Sequence, residues 1–124
     1  MADTNIEIDE TLDLIASNKV EGTAVYDNEE QRLGTIYNVM IDKVNGQVEY
    51  AVLSFGGLFG LGSNYYPIPW EMLEYDTNLG GYVVDIAKEK LQSAPSYSGE
   101  NQPTFDRAYG TQIYDYYGLE YPRA

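Results

Sequence analysis

The chain contains no cysteine and no histidine. Without cysteine there is no disulfide framework and no thiolate nucleophile. Without histidine the usual base of a nucleophilic triad is missing, and transition-metal binding is poorly supported. The sequence therefore predicts no catalytic residue, no cofactor site and no metal site.

Positive charge is also scarce, since 7 lysines and arginines stand against 20 acidic residues, for a net charge of −13. Nucleic-acid backbones and anionic membrane surfaces require clustered cations, and the closest pair, Lys88 and Lys90, stands beside Glu89. We therefore predict no nucleic-acid partner. The acidic balance has three interpretations: it keeps a tyrosine-rich protein dissolved, suits a basic partner, or reflects a high-salt habitat.

Long hydrophobic runs are absent too. No apolar segment approaches the roughly 18–20 residues that span a bilayer. Residues 1–16 are acidic and polar, unlike a signal peptide. The sequence predicts no membrane insertion and a cytoplasmic location.

Tyrosine is abundant, with 13 residues against 3 phenylalanines and 1 tryptophan. Tyrosine suits half-buried strands, where the ring packs and the hydroxyl stays near water or a partner. The clearest local pattern is Asn45-Gly46 between the apolar runs 34–44 and 47–55, which predicts a hairpin with a type I′ turn. Both alternating faces of 47–55 carry large apolar residues, so we expect this strand to be covered on both sides.

The sequence predicts further short β-strands joined by glycine turns. Pro67 and Pro69 limit the pairing of the extended segment 65–70. The other predicted elements are a first strand at 20–26 bent at Gly22, a hairpin of 71–76 with 80–86, and one or two helical turns at 88–93.

The chain divides into three parts. Residues 1–13 form an acidic lead-in, 14–97 a barrel, and 98–124 a polar linker with a tyrosine-rich tail. In the tail, Phe105, Tyr109, Ile113 and Tyr116 or Tyr117 recur near helical spacing. This predicts a short docking helix, although Gly110 lowers the helical propensity by about 1 kcal/mol.

Several segments follow one another in an order typical of a known family. They are the opening strand 20–26, the Leu-Gly-Thr-Ile entry at 33–36, the hairpin 45–53, the glycine loop 56–62, the Pro-Trp segment 67–73 and the closing 91–95. Together, from Leu14 to about Tyr97, they resemble the PRC-barrel family.

This resemblance implies a mainly β fold: a small, closed or partly open, six-stranded antiparallel barrel with a short helix. Barrel closure would remove edges that aggregate. The family includes the cytoplasmic domain of the photosynthetic reaction centre H subunit, the C-terminal domain of a ribosome maturation factor, and stand-alone bacterial and archaeal proteins. Its members act through protein–protein contacts. The stand-alone class is expected here, because no transmembrane helix or RNA-factor domain accompanies the barrel.

The glycine loop has the spacing of a phosphate-binding loop between Gly57 and Gly62. Ser63-Asn64 follows where Lys-Ser/Thr is required, so a structural loop is predicted. Its apolar residues Leu58, Phe59 and Leu61 either form a contact surface or fold back over the barrel.

The tail tyrosines are the other candidate partner contacts. They either pack on their own barrel, cross to a second subunit, or stay free for another partner. The candidates are Tyr109, Tyr114, Tyr116 and Tyr117. The positions predicted to be structural are Gly22, Gly34, Asn45, Gly46, Gly57, Gly62, Pro69 and Trp70.

The function predicted from these observations is a non-enzymatic protein-binding or scaffold module that forms homodimers. Two alternatives remain open. One is a small-ligand binder or weak enzyme with a site near Trp70, for which Glu71 and Glu74 are the only carboxylates beside an aromatic wall. The other is an accessory factor in ribosome assembly, by family analogy alone.

Overall fold

The computed structural model describes residues 14–55 and 64–122. Three α-helices and a 3₁₀ helix accompany the strands in this part of the chain. The strands are β1 (Ala24–Tyr26), β2 (Arg32–Ile41), β3 (Val48–Phe55), β4 (Asn64–Pro69), β5 (Leu73–Asp76), β6 (Gly81–Val84) and β7 (Tyr97–Ser98). The helices are α1 (Ser17–Val20), α2 (Lys88–Gln92), α3 (Arg107–Tyr116) and the 3₁₀ helix Trp70–Met72.

The strands form one mainly antiparallel sheet in the order β5-β6-β1-β2-β3-β4-β7. The sheet is open, so of the two expected forms, closed or partly open, the closed barrel is wrong. The expected count of six is also wrong, because β7 adds a seventh strand. One pair departs from the antiparallel expectation, since β1 runs parallel to β6 with Val25 opposite Tyr82.

The hairpin of β2 and β3 confirms the strongest sequence pattern, but its turn is not type I′. A type I′ turn needs positive φ at both central residues, and of Asn45 and Gly46 only Gly46 has it, at 78°. The loop is wider because Asp42 caps it: its carboxylate accepts from the amides of Val44 and Asn45 at 2.8 and 3.0 Å. The hydrogen bonds to the Asp42 carboxylate thus stabilise a wider loop in place of the tight turn.

Strand β3 is covered on both faces, as expected. Tyr50 and Val52 point to one side and Ala51 and Leu53 to the other, and all four are at most 3% exposed. The sheet therefore has apolar material packed against both of its faces at this strand.

The prolines of β4 lie at alternate positions, so both lack an N–H donor on the same side of the strand. All six residues of β4 pair with β3, whereas β7 pairs only with Asn64 and Tyr65. The limited pairing predicted from Pro67 and Pro69 is confirmed. Ser98, the first residue of the predicted linker, pairs with Asn64 in β7.

The first predicted strand is shorter than expected. Residues 17–20 form α1, and Gly22, with φ of 88°, makes the predicted bend before β1. The β5–β6 hairpin and the helical turns at 88–92 are confirmed.

The core contains residues from the sheet and from the tail. Helix α3 packs against β4 and buries Gly110, Ile113 and Tyr114. Its start is capped by Asp106, whose carboxylate accepts from the Tyr109 amide at 2.9 Å. The helix therefore docks on its own sheet, in agreement with the helical spacing of the tail.

None of the helices in the part of the chain that the structure describes is long and apolar enough to cross a membrane.

Candidate interaction surface

Five aromatic side chains form a continuous series of ring contacts, here called the aromatic row. Neighbouring ring centroids lie 4.6, 5.4, 5.8 and 5.8 Å apart, within the usual range for aromatic pairs. In order, the row consists of Tyr37, Tyr65, Tyr97, Phe105 and Tyr109. It joins two central strands to the short edge strand and to the start of α3.

The register of the sheet explains the first contact. Tyr37 lies on β2 and Tyr65 on β4, with β3 between them, and Ser54 of β3 is directly opposite Tyr65. A β-bulge falls at Tyr37, where the β2–β3 register shifts. Because Ser54 is small, the two rings can meet above β3.

The row changes from exposed to buried along its length. Tyr37 is 51% exposed, and the other four residues are half-buried against the core. Burial raises the pKa of Tyr97 to about 12, with further contributions from Tyr109, Tyr37 and Tyr65. Burial also raises the pKa of Tyr109. These phenols are therefore neutral at physiological pH and can act as hydrogen-bond donors.

The row contains an unused donor. The Tyr109 hydroxyl is buried without a hydrogen-bond partner among the described residues. Sequence reasoning identified Tyr109 but missed Tyr37, Tyr65 and Tyr97, because their proximity depends on strand register, which periodicity alone does not fix.

The other tail tyrosines lie in different surroundings. Tyr114 is 2% exposed and Tyr117 is 9% exposed, so both belong to the core. The Tyr114 hydroxyl donates to the Glu49 carbonyl oxygen, and that of Tyr116 donates to the Lys90 carbonyl at 2.7 Å. As folded, Tyr114 and Tyr117 are packing residues of their own sheet, and a partner reaches them only if α3 is displaced.

Contacts of Tyr121, near the C-terminus, hold α3 in place. Sequence reasoning did not identify these contacts. The Tyr121 hydroxyl donates to the Glu49 carboxylate, and its ring meets Tyr114 edge-on at 5.1 Å. Arg107 lies 5.6 Å from the centroid of the same ring. A Cβ at Gly110 would overlap that ring, so the glycine that weakens the helical pattern is what lets Tyr121 approach.

The predicted contact residues Leu58, Phe59 and Leu61 lie outside the described residues, as do Gly57 and Gly62. The other positions predicted to be structural lie within the described residues. Gly34 lies in β2 opposite Val25 and Phe55, and Pro69 ends β4 opposite Tyr50.

Trp70 is half-buried at the start of the 3₁₀ helix, with its ring 5.4 Å from that of Tyr82. An open surface depression of about 330 Å³ is lined by Glu74, Tyr75, Asp76, Thr77 and Val83. Trp70 is not part of that lining. Glu71 and Glu74 are exposed.

Within residues 14–55 and 64–122, no three acidic side chains lie close enough together to hold a metal ion.

Comparison with known proteins agrees with the fold. No curated protein matches the chain. A family model described as the PRC-barrel domain matches residues 12–91, which include β1 to β6 and most of α2. The tail from residue 92 onward, with β7 and α3, lies beyond the matched span. Since the match covers more than half of the sequence, the chain belongs to the PRC-barrel domain family.

Proposed function

We propose that this chain is a non-catalytic protein-binding module whose contact surface is the aromatic row. The PRC-barrel domain is a general protein-interaction module, and such domains are generally non-catalytic. Residues 12–91 supply that module, and the tail adds Phe105 and Tyr109 to the row.

One observation carries the proposal: the row is continuous and ends at Tyr37, half of whose surface is open to solvent. Tyrosine is enriched at protein interfaces because a rigid ring supplies contact area while its hydroxyl still bonds to water or a partner. Residues from β2, β4, β7 and the start of α3 meet at this one place. Tyr75, also exposed, lies in β5 at the opposite edge of the sheet, with its ring 5.1 Å from that of Tyr82.

The glycine loop remains part of the proposal. Residues 56–63 connect Phe55 to Asn64, which pair with each other one residue before Tyr65. Leu58, Phe59 and Leu61 lie on this connection and remain candidate contacts of the proposed module.

Affinity capture from a native lysate of the source organism tests the proposal. Wild type, Tyr37→Ser and Tyr75→Ser are compared, because both tyrosines are exposed and lie on different parts of the sheet. We expect Tyr37→Ser to lose proteins that Tyr75→Ser retains. Identical captured sets from all three, with native circular dichroism, would contradict the assignment of the row.

Self-association is a second part of the proposal. Helix α3 and its Tyr114 and Tyr121 contacts follow a connection at 99–106, and the same contacts can form between two copies that exchange their tails. Light scattering is expected to show a dimer that disappears when residues 104–124 are deleted. A strict monomer of the full chain at high micromolar concentration would reject this part.

A further inference from the structure

Positive charge is scarce around the aromatic row: β2 and α3 each contain one arginine, Arg32 and Arg107, and β4 and β7 contain no charged residue. No lysine or arginine occurs between residues 44 and 87, or between 91 and 106. Tyr65, Tyr97 and Phe105 all lie within these stretches. The same stretches contain Glu49, Glu71, Glu74, Asp76, Asp85, Glu100 and Asp106. Of these acidic residues, Glu100 and Asp106 lie in the connection that contains Phe105, and the chain as a whole has a net charge of −13.

The chain itself shows what its tyrosine rings attract. Lys90 lies 5.4 Å from the centroid of Tyr116, and Arg107 lies 5.6 Å from that of Tyr121. Both distances are typical of a cation over an aromatic face. Two of the chain's seven cations are used this way, yet in the described residues none lies over a ring of the row.

The spacing of the row suits an extended peptide. Alternate side chains of a β-strand project from the same side roughly 6.6 Å apart, and neighbouring rings of the row are 4.6 to 5.8 Å apart. The ring spacing is shorter than the peptide spacing by roughly 1 to 2 Å, a difference that long cationic side chains can span, so cations at alternate peptide positions can reach successive rings. Arginine suits such a site better than lysine, because its planar guanidinium stacks on aromatic faces and is more weakly hydrated.

From these observations we infer that the aromatic row binds an extended segment of the partner protein that carries arginines at alternate positions. This inference rests on the proposed function. Long-range attraction to the acidic surface brings the segment in, and stacking on the row, beginning at exposed Tyr37, holds it.

Fluorescence anisotropy with labelled peptides tests the inference. The probe is a short peptide of alternating arginine and serine, and its matched controls replace arginine by lysine or by glutamine. We expect the arginine peptide to bind best, lysine to bind less well, and glutamine to bind least. If the glutamine peptide bound as tightly as the arginine peptide, the inference of a cationic partner would be contradicted.

Protein variants separate stacking from net charge. Tyr37→Leu keeps an apolar side chain but loses the ring, and is expected to weaken binding of the arginine peptide about two- to fivefold. Tyr37→Phe keeps the ring and is expected to retain affinity for the arginine peptide. Tyr75→Leu is the matched control at an exposed tyrosine outside the aromatic row. Salt lowers the affinity of all variants, but the ratio of wild type to Tyr37→Leu persists. Equal affinities for Tyr37→Leu, Tyr75→Leu and wild type would show attachment through charge alone and overturn the inference.

The failures of the two proposals are distinguishable. If lysate capture depends on Tyr37 but no arginine peptide binds, the inference fails and the proposed function stands. A dimer of the protein alone that is lost in Tyr37→Leu would make a second copy the occupant, and would also overturn the inference.

Discussion

A methyl group at Gly110 of α3 would overlap the ring of Tyr121. We expect Gly110→Ala to destabilise the fold by about 1 kcal/mol, because displacing Tyr121 removes its bond to the Glu49 carboxylate and its packing on Tyr114. That loss exceeds the roughly 1 kcal/mol gained from the higher helical propensity of alanine. Urea unfolding measures the change.

The same substitution should have the opposite effect when the ring is absent. In a Tyr121→Ala background, Gly110→Ala is expected to stabilise the protein by up to ~1 kcal/mol, since only the propensity gain remains. If Gly110→Ala destabilised the protein by the same amount in both backgrounds, its effect would not depend on the ring of Tyr121.

The buried Tyr114 hydroxyl should contribute more to stability than the exposed one of Tyr116. Tyr114→Phe leaves the Glu49 carbonyl without that donor and is expected to cost about 1 kcal/mol. Tyr116→Phe is the matched control, because water can replace its bond to the Lys90 carbonyl, and should cost clearly less. Equal unfolding midpoints for the two variants would contradict this difference.

Among the elements, the β2–β3 hairpin depends on a single carboxylate at its turn. Hydrogen bonds from the backbone amides of Asn45 and Val44 lower the pKa of Asp42 from its ordinary value of 3.8. Because the folded-state pKa is the lower one, the carboxylate stabilises the fold above pH 3.8, and this contribution is lost as the pH falls through the folded value.

Acid unfolding followed by circular dichroism tests that dependence. Asp42→Asn keeps an oxygen for the turn amides but cannot titrate. We expect its stability to fall less steeply than that of wild type below about pH 4. If the stability of the two proteins fell equally steeply with acid, Asp42 would not contribute to the loss of stability.

The elements were predictable to different degrees for physical reasons. Asn45-Gly46 and the alternation of 47–55 indicated β2 and β3, because local pattern and burial agree there. The turn type was missed because Asp42 competes for the same amides. Strand β7 was missed because two residues between polar segments show no periodicity, and its stability comes from pairing with Asn64 and Tyr65.

The candidate surface was harder to predict than the fold. Tail tyrosines could be selected by composition, but burial decides their role, and the structure places Tyr114 and Tyr117 inside. The aromatic row needs the bulge at Tyr37 and the small Ser54, both consequences of register. A single sequence fixes neither.

At the scale of the whole molecule, buried phenols should make the protein sensitive to alkali. Burial raises the pKa of Tyr97 and Tyr114 to about 12, and also raises those of Tyr50, Tyr117 and Tyr121. Unfolded tyrosine ionises near 10, so the stability present below that pH is expected to be lost between about pH 10 and 12.

Spectroscopic titration measures this loss. Tyrosinate absorbance should rise in two stages, the second of them together with unfolding, when the buried tyrosines ionise. Tyr97→Phe removes one shifted group and should delay the second stage. A single smooth titration of all 13 tyrosines with circular dichroism unchanged would contradict the prediction.

The parallel pairing of β1 with β6 has a consequence for the order of folding. Strands β2, β3 and β4 are joined by short connections and can pair as soon as they are synthesised, whereas Val25 must wait for Tyr82, far along the chain. Contacts between distant residues are slow to form because a long loop must close first. During synthesis, one side of β1 therefore stays uncovered until β6, which ends at Val84 of the 124 residues, has been made, so the pairing of this strand depends on the later half of the chain.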